Sequence, residues 1–134
     1  AYAAVIPKWI NSMIQNELIQ INGDGQTSRD FCYIKNVIQA NLLAALADSR
    51  AQNKVYNVAV GDRTSLEELF FYLYDVLKFN GVIYPHKPLY ADFREGDVRH
   101  SQASIEKAKN FLSYSPSHTI LKGIEEVIPW YVNK

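Results

Sequence analysis

Ser65 and Glu68 stand three apart, and Leu66, Leu69, Phe70, Leu73 and Leu77 follow at i, i+3, i+4, i+7 and i+11 until Gly81 interrupts the run. A serine ahead of a first turn accepts from the N–H three residues on, while the glutamate there reaches back to the serine's own N–H. The leucines and phenylalanine fall on one stripe of a 3.6-residue helix. Glycine supplies the left-handed backbone at which helices commonly stop. The pattern predicts an amphipathic helix from Ser65 to Gly81. Its apolar face must be covered, so the chain needs at least a second layer packed against it.

Further helices come from the same spacing. Residues Tyr2 to Gln15 put Ala3, Ile6, Ile10 and Met13 on one face, with Pro7 acceptable in a first turn. Asn36 to Asp48 reads as a helix with Ile38, Leu42, Ala45 and Leu46 on one face. Ser104 is the expected cap of a short helix to Leu112, and Thr119 of a last one to Trp130, with Pro129 near its end. Strand signals are shorter. Leu18–Asn22 and Arg29–Ile34 alternate on either side of Gly-Asp-Gly-Gln-Thr-Ser, which reads as an antiparallel hairpin. Val55–Val60 and Leu89–Phe93 read as two more strands. Such dispersed strands cannot build an independent sheet, so they are expected to add to a sheet elsewhere. The chain also opens on Ala-Tyr-Ala-Ala-Val-Ile-Pro where a polar, frayed terminus is usual, and is therefore expected to be the C-terminal piece of something longer.

Composition narrows the function classes. The 134 residues suit one domain, and 14 Lys plus Arg against 14 Asp plus Glu leave a formal net charge of 0. Nucleic-acid binders carry a basic excess to replace phosphate counterions, and none is present here. An anion must instead be held by a few placed cations, which points to a small ligand. No apolar run approaches the ~20 residues that span a bilayer, and no basic-then-apolar leader opens the chain. Cys32 is the single cysteine and the three His are scattered, so neither a disulfide nor a metal site is expected, and a reducing cytoplasm is the default.

Two motifs invite cofactor readings that their context does not support. Gly23-Asp-Gly25-Gln-Thr-Ser28 resembles part of a dinucleotide fingerprint, but that fingerprint requires a helix immediately after it. The period-2 run from Arg29 to Ile34 predicts a turn using glycine at positive φ instead. Tyr74-Asp-Val-Leu-Lys78 matches the Tyr-x-x-x-Lys proton-shuttle pair, yet the glycine-rich turn and the serine or threonine that should accompany it have no place in this chain. Ordinary helix surface is the reading adopted.

Polar groups beyond the needs of a fold gather in three segments: Lys8-Trp9, Asn22 through Arg29-Asp30, and Arg94-Glu-Gly-Asp-Val-Arg-His-Ser101. Arginine presents a planar fork suited to phosphate, and tryptophan a flat face on which a base or sugar can stack. The strings Ile-Asn-Gly-Asp-Gly-Gln-Thr-Ser-Arg-Asp-Phe-Cys-Tyr-Ile and Val-Ile-Gln-Ala-Asn-Leu, followed by Val55-Tyr-Asn-Val-Ala-Val-Gly-Asp-Arg-Thr-Ser-Leu, the Arg94–Ser101 segment, Lys107-Ala to Tyr114-Ser-Pro116 and Gly123 to Trp130-Tyr131, stand in the order found in a known family. Taken together they resemble the C-terminal half of the nucleotide-sugar epimerases of the extended short-chain dehydrogenase/reductase (NAD-dependent epimerase/dehydratase) superfamily. Ala3-Ala-Val-Ile-Pro-Lys-Trp-Ile10 is similar to the branch acting on N-acetylated UDP-sugars, the UDP-N-acetylglucosamine 4-epimerases of surface-polysaccharide (O-antigen or capsule) synthesis.

The resemblance implies an α/β fold of which residues 1–134 are the mainly helical, UDP-sugar-binding C-terminal portion, with the N-terminal Rossmann domain, its NAD and the catalytic residues outside this chain. It implies that Ala4, Val5, Lys8 and Trp9 line the UDP site, that Asn22 faces the nucleotide, and that Arg29 and Arg99 hold the diphosphate. Leu66 and Ser101 complete the wall. Arg63 and Arg94 are expected at the surface, away from the ligand. It implies a homodimeric parent and an inactive fragment that binds no NAD. The chain departs from the branch at Gln20, where an aromatic is common, and at Ser113, which replaces a glycine at a helix end. Two alternatives stand beside this reading: part of a dehydratase or decarboxylase of the same superfamily, and a stand-alone nucleotide-sugar-binding or interaction module without catalysis.

Overall fold

A computed structural model describes residues 4–133. In chain order the elements are α1 (Val5–Ile14), β1 (Gln20–Asn22), β2 (Ser28–Arg29), α2 (Ile34–Ala45), β3 (Thr64–Ser65), α3 (Leu66–Phe79), β4 (Leu89–Ala91), α4 (Glu106–Leu112) and α5 (Ile120–Val132). The chain forms two compact units that it enters and leaves repeatedly. One comprises Ala1–Ser28, Ser65–Arg99 and Ile124–Lys134, the other Arg29–Thr64 and His100–Gly123.

The first unit is organised by α3, which forms as its spacing predicts. Glu68 N–H donates to Ser65 Oγ at 3.1 Å and Ser65 N–H returns a bond to the Glu68 carboxylate at 2.8 Å. At the other end Gly81, at φ +85°, lets its own N–H reach Lys78 O and the Val82 N–H reach Leu77 O, the paired 5→2 and 6→1 bonds that close a helix. Leu69, Phe70, Leu73, Val76 and Leu77 are buried, and α1 packs across α3 with Trp9, Ile10 and Met13. Tyr2 and Ala3, the predicted start of the first helix, lie outside the described residues. β1 supplies Ile21 to the same core and pairs in parallel with β4, Gln20 opposite Leu89, Ile21 opposite Tyr90 and Asn22 opposite Ala91.

The second unit has its own core of Ala40, Ala51, Ala59, Ile105, Ala108, Leu112 and Tyr114. Here α2 packs on α4. The Asp30 carboxylate gathers the Val60, Gly61 and Ala103 N–H groups at 3.0, 3.0 and 3.4 Å, and the buried Tyr114 hydroxyl donates to Ala59 O at 2.7 Å. These bonds hold Val55–Val60 as an irregular segment that makes no strand ladder.

Several expectations are therefore corrected. The hairpin of Leu18–Asn22 with Arg29–Ile34 does not form: β1 takes β4 as its partner, and the short β2 pairs with β3. Strand Leu89–Phe93 shortens to Leu89–Ala91, and α4 is preceded by Ile105 with no side-chain cap from Ser104. Most informative is α2. Its apolar stripe is open, with Ile38, Leu42 and Leu46 exposed by 50, 61 and 86% and Ile34 beside them by 57%, while Asn36 and Ala40 point inward. Apolar spacing establishes that a helix has a sticky side but does not say which side this unit uses.

Candidate functional site

The Gly23–Ser28 loop is where the sequence placed a turn, and its geometry explains both glycines. Gly23 and Gly25 sit at φ +81° and +80°. The Phe93 ring lies directly on the Gly23 backbone, where any Cβ would collide with it. Asp24 closes the turn by accepting from the Gln26 N–H at 3.0 Å. The loop then turns its carbonyls toward α3: Glu67 N–H donates to Gly25 O at 3.0 Å and Leu66 N–H to Thr27 O at 2.9 Å.

With Glu68 N–H on Ser65 Oγ, three N–H groups of the first turn of α3 are thus satisfied by protein. A phosphate cradle needs the opposite polarity, with N–H groups turned outward at a helix that follows the glycines. After Ser28 the chain runs into β2, and the next helix begins at Ile34. The residues of this loop do not fit a dinucleotide pyrophosphate.

The loop instead assembles a polar cluster within the first unit. Arg99 donates to Asp24 Oδ2 at 2.6 Å, and its guanidinium carbon lies 5.2 Å from the centre of the Phe93 ring. The Arg99 carbonyl accepts from the Ser28 N–H at 2.8 Å, so main chain and side chain both tie this residue to the loop. The Arg99 guanidinium, with help from the Gln26 N–H, holds the Asp24 carboxyl below the usual carboxylate range. Asn22 ends β1 at the head of the loop, its amide oxygen accepting from Gln20 Nε2 at 3.3 Å. Beside it, Glu67 accepts from the Tyr90 hydroxyl at 2.6 Å and from Gln26 Nε2 at 3.2 Å, which pushes the Tyr90 phenol up.

Asn22, Leu66 and Arg99 are in this way brought together around one loop. Ala4 and Lys8 are exposed and Val5 half-buried at the start of α1. Trp9 is a core residue, 5% exposed and edge-on to Phe70 with ring centres 6.3 Å apart, and it offers no open face to a base. Arg29 and Ser101 belong to the second unit, and the hairpin expected to hold Arg29 beside Asn22 is absent. Arg63 and Arg94 are exposed, as expected. Sequence reasoning missed Asp24, Phe93 and the Glu67–Tyr90 pair. Locally Asp24 reads as part of a turn signal, and nothing local to Phe93 or Tyr90 points to residues so distant in the chain.

Tyr74 and Lys78 are a helix-surface pair, with the ammonium 5.8 Å from the tyrosine ring centre. Among the described residues no cluster of three or more His, Cys, Asp or Glu could hold a metal ion, and no helix is long and apolar enough to cross a membrane.

Residues 1–59 match the NAD dependent epimerase/dehydratase family. A putative UDP-glucose 4-epimerase of Methanocaldococcus jannaschii is 34% identical over 131 residues, covering 98% of this chain and 40% of that protein. The crystal structure of UDP-glucose 4-epimerase with UDP-glucose from Thermotoga maritima superposes with a TM-score of 0.88 at 30% identity, over 99% of this chain and 40% of that one. UDP-N-acetylglucosamine 4-epimerase from Methanobrevibacter ruminantium M1, in complex with UDP-N-acetylmuramic acid, superposes with a TM-score of 0.85 at 36% identity, over 98% of this chain and 40% of that one. This chain thus spans about 40% of the length of these relatives. It is similar in sequence to UDP-sugar 4-epimerases, its first 59 residues match the NAD dependent epimerase/dehydratase family, and it has the fold of the C-terminal part of such structures.

Proposed function

We propose that this chain is the substrate-binding C-terminal portion of a cytoplasmic nucleotide-sugar 4-epimerase that interconverts UDP-N-acetylglucosamine and UDP-N-acetylgalactosamine for surface-polysaccharide synthesis. The observation that carries the reading is the 36% identity, across 98% of the chain, to an enzyme named for UDP-N-acetylglucosamine. NAD, which takes up and returns the hydride at C4, is held by protein outside this chain. The parent is a homodimer.

In this reading Ala4, Val5 and Lys8 line the nucleotide site with Trp9 behind them, Asn22 faces the nucleotide, and Leu66 and Ser101 finish the wall. Arg29 and Arg99 carry the diphosphate. A chain of net charge 0 has no diffuse positive field to substitute for them. The Asp24 contact engages a terminal nitrogen of Arg99 and orients a guanidinium whose planar fork suits phosphate.

The test is calorimetric titration of UDP against the full-length protein. A charge-assisted bond to a partly buried group is worth roughly 1.5–3 kcal/mol, so Arg29→Ala and Arg99→Ala each weaken UDP about 10- to 150-fold. Arg63→Ala and Arg94→Ala change it little. Unchanged affinity in Arg29→Ala, or as large a loss in Arg94→Ala as in Arg99→Ala, overturns the assignment. Formation of the 4-epimer from UDP-N-acetylglucosamine by the full-length protein supports the reaction. Loss of water or carbon dioxide, from this or another UDP-sugar, assigns it to a dehydratase or decarboxylase.

A further inference from the structure

On the first unit, α3 and the segment from Tyr84 to Tyr90 enclose a cleft of about 530 Å³, within the range of small-molecule sites. None of the residues given a role toward the nucleotide lines it. Its wall is a relay of rings set edge to face: Phe71 on Phe70 at 5.5 Å, Phe70 on Tyr84 at 6.2 Å, and Tyr84 on His86 at 5.3 Å between ring centres. The Tyr84 and Tyr90 hydroxyls are committed to protein, donating to Glu17 O at 2.9 Å and to the Glu67 carboxylate at 2.6 Å. Tyr84 is 3% exposed, so the open ring surface of the wall is that of Phe71 and Tyr90, at 49 and 50%.

Three polar groups on the wall make no hydrogen bond or ion pair among the described residues: the Tyr74 hydroxyl, the His86 imidazole and the Lys87 ammonium. The Lys78 ammonium stands over the Tyr74 ring. Among the described residues no carboxylate lines the cleft, although acids equal bases in the chain as a whole. Aromatic walls select a planar ring through edge-to-face and stacked contacts. A ring-lined cleft with a lysine ammonium and an imidazole on its wall favours a negative substituent on that ring.

We propose that this cleft is a second ligand site that takes a small aromatic anion, the ring held between α3 and the Tyr84–Tyr90 segment and the anionic group facing Lys87 and His86. The probe is indole-3-acetate, titrated calorimetrically into the full-length protein. Saturable binding at millimolar concentration or below is expected. Indole-3-acetamide, which keeps the ring and loses the charge, binds several-fold more weakly. Phe71→Ser and Lys87→Ser, both at exposed positions, each weaken indole-3-acetate by about 3- to 10-fold. Saturating UDP leaves the titration unchanged, which separates this site from the proposed nucleotide site. Leu42→Gln on the open face of α2 also leaves it unchanged, which separates it from general adhesion to apolar surface. Absence of saturation, equal affinity for acid and amide, competition by UDP, or a loss in Leu42→Gln equal to that in Phe71→Ser each overturns the proposal.

Discussion

Asn36 is 0% exposed in a helix whose apolar stripe faces outward, and it is polar for a reason the hydrogen bonds make plain. Its Nδ2 donates to His118 O at 2.8 Å, and its Oδ1 accepts from the Ser117 and His118 N–H groups at 2.9 and 3.1 Å. One side chain thereby satisfies three backbone groups of the segment that leads into α5. In Asn36→Ala the Ser117 N–H, on an exposed residue, can turn to water, but the buried His118 N–H and C=O lose the hydrogen bonds that Asn36 supplies. Each such loss costs about 1–3 kcal/mol, so the variant loses about 2–6 kcal/mol. This is a large part of the ~5–15 kcal/mol that holds a domain folded. With an m-value of about 1–3 kcal/mol/M, the urea midpoint followed by circular dichroism falls by one to several molar.

Asn36→Asp distinguishes hydrogen bonding from mere filling of space. A protonated carboxyl in the same place can still donate to His118 O and accept from both N–H groups. The ionised form turns an anionic oxygen on that carbonyl in a buried site. The folded pKa of the introduced carboxyl is therefore raised above its unfolded value of about 4. A raised folded pKa means that stability is present below the unfolded value and is lost as pH rises toward the folded one, at about 1.4 kcal/mol per pH unit. Relative to the parent at each pH, Asn36→Asp should be close to parental near pH 4 and strongly destabilised at pH 7, while the Asn36→Ala loss stays constant. An Asn36→Ala loss below about 0.5 kcal/mol, or an Asn36→Asp loss that does not change with pH, refutes the reasoning.

Other perturbations have equally definite signs. Ser113 ends α4 in the left-handed conformation at φ +55°, so Ser113→Gly should stabilise by up to about 1 kcal/mol, and a lowered urea midpoint would contradict this. Gly123 lies in α5, where alanine is ordinarily the better helix former by about 1 kcal/mol, but a Cβ there meets Tyr33 Cγ and Cβ at 2.8 and 2.9 Å. Overpacking of that kind costs about 1–3 kcal/mol, so Gly123→Ala should be net destabilising in thermal melts, and a raised midpoint would show that Tyr33 yields freely. The Ser65 N–H and hydroxyl hold the Glu68 carboxyl below its usual range, so the capping box stabilises above the unfolded value near pH 4 and is lost as pH falls through the lower folded value. Glu68→Gln should flatten that part of the acid transition, and superimposable acid titrations of parent and variant would count against it.

The sequence by itself determined what depends on neighbours a few residues away. The capping box, the stripe of α3 and its glycine stop are all local, and each is realised. So are the positive-φ glycines of the Gly23–Ser28 loop, and the left-handed position at Ser113 that the departure from glycine had marked. The superfamily resemblance was also legible, because ordered strings of residues persist where exact packing does not.

Tertiary structure decided everything that depends on a partner far along the chain. A strand's alternation says that one face is buried but does not name the strand beside it, so β1 pairs with β4 and the apparent hairpin partner goes elsewhere. An amphipathic helix can seat either edge of its stripe, and α2 turns Asn36 and Ala40 inward because the Ser117–His118 backbone and the second core supply what those two residues need. The candidate site follows the same rule. Arg99 could be named from its chemistry, but its carboxylate partner Asp24, the Phe93 ring beneath it and the burial of Trp9 arise only when segments separated by much of the chain are brought within hydrogen-bonding and van der Waals distance.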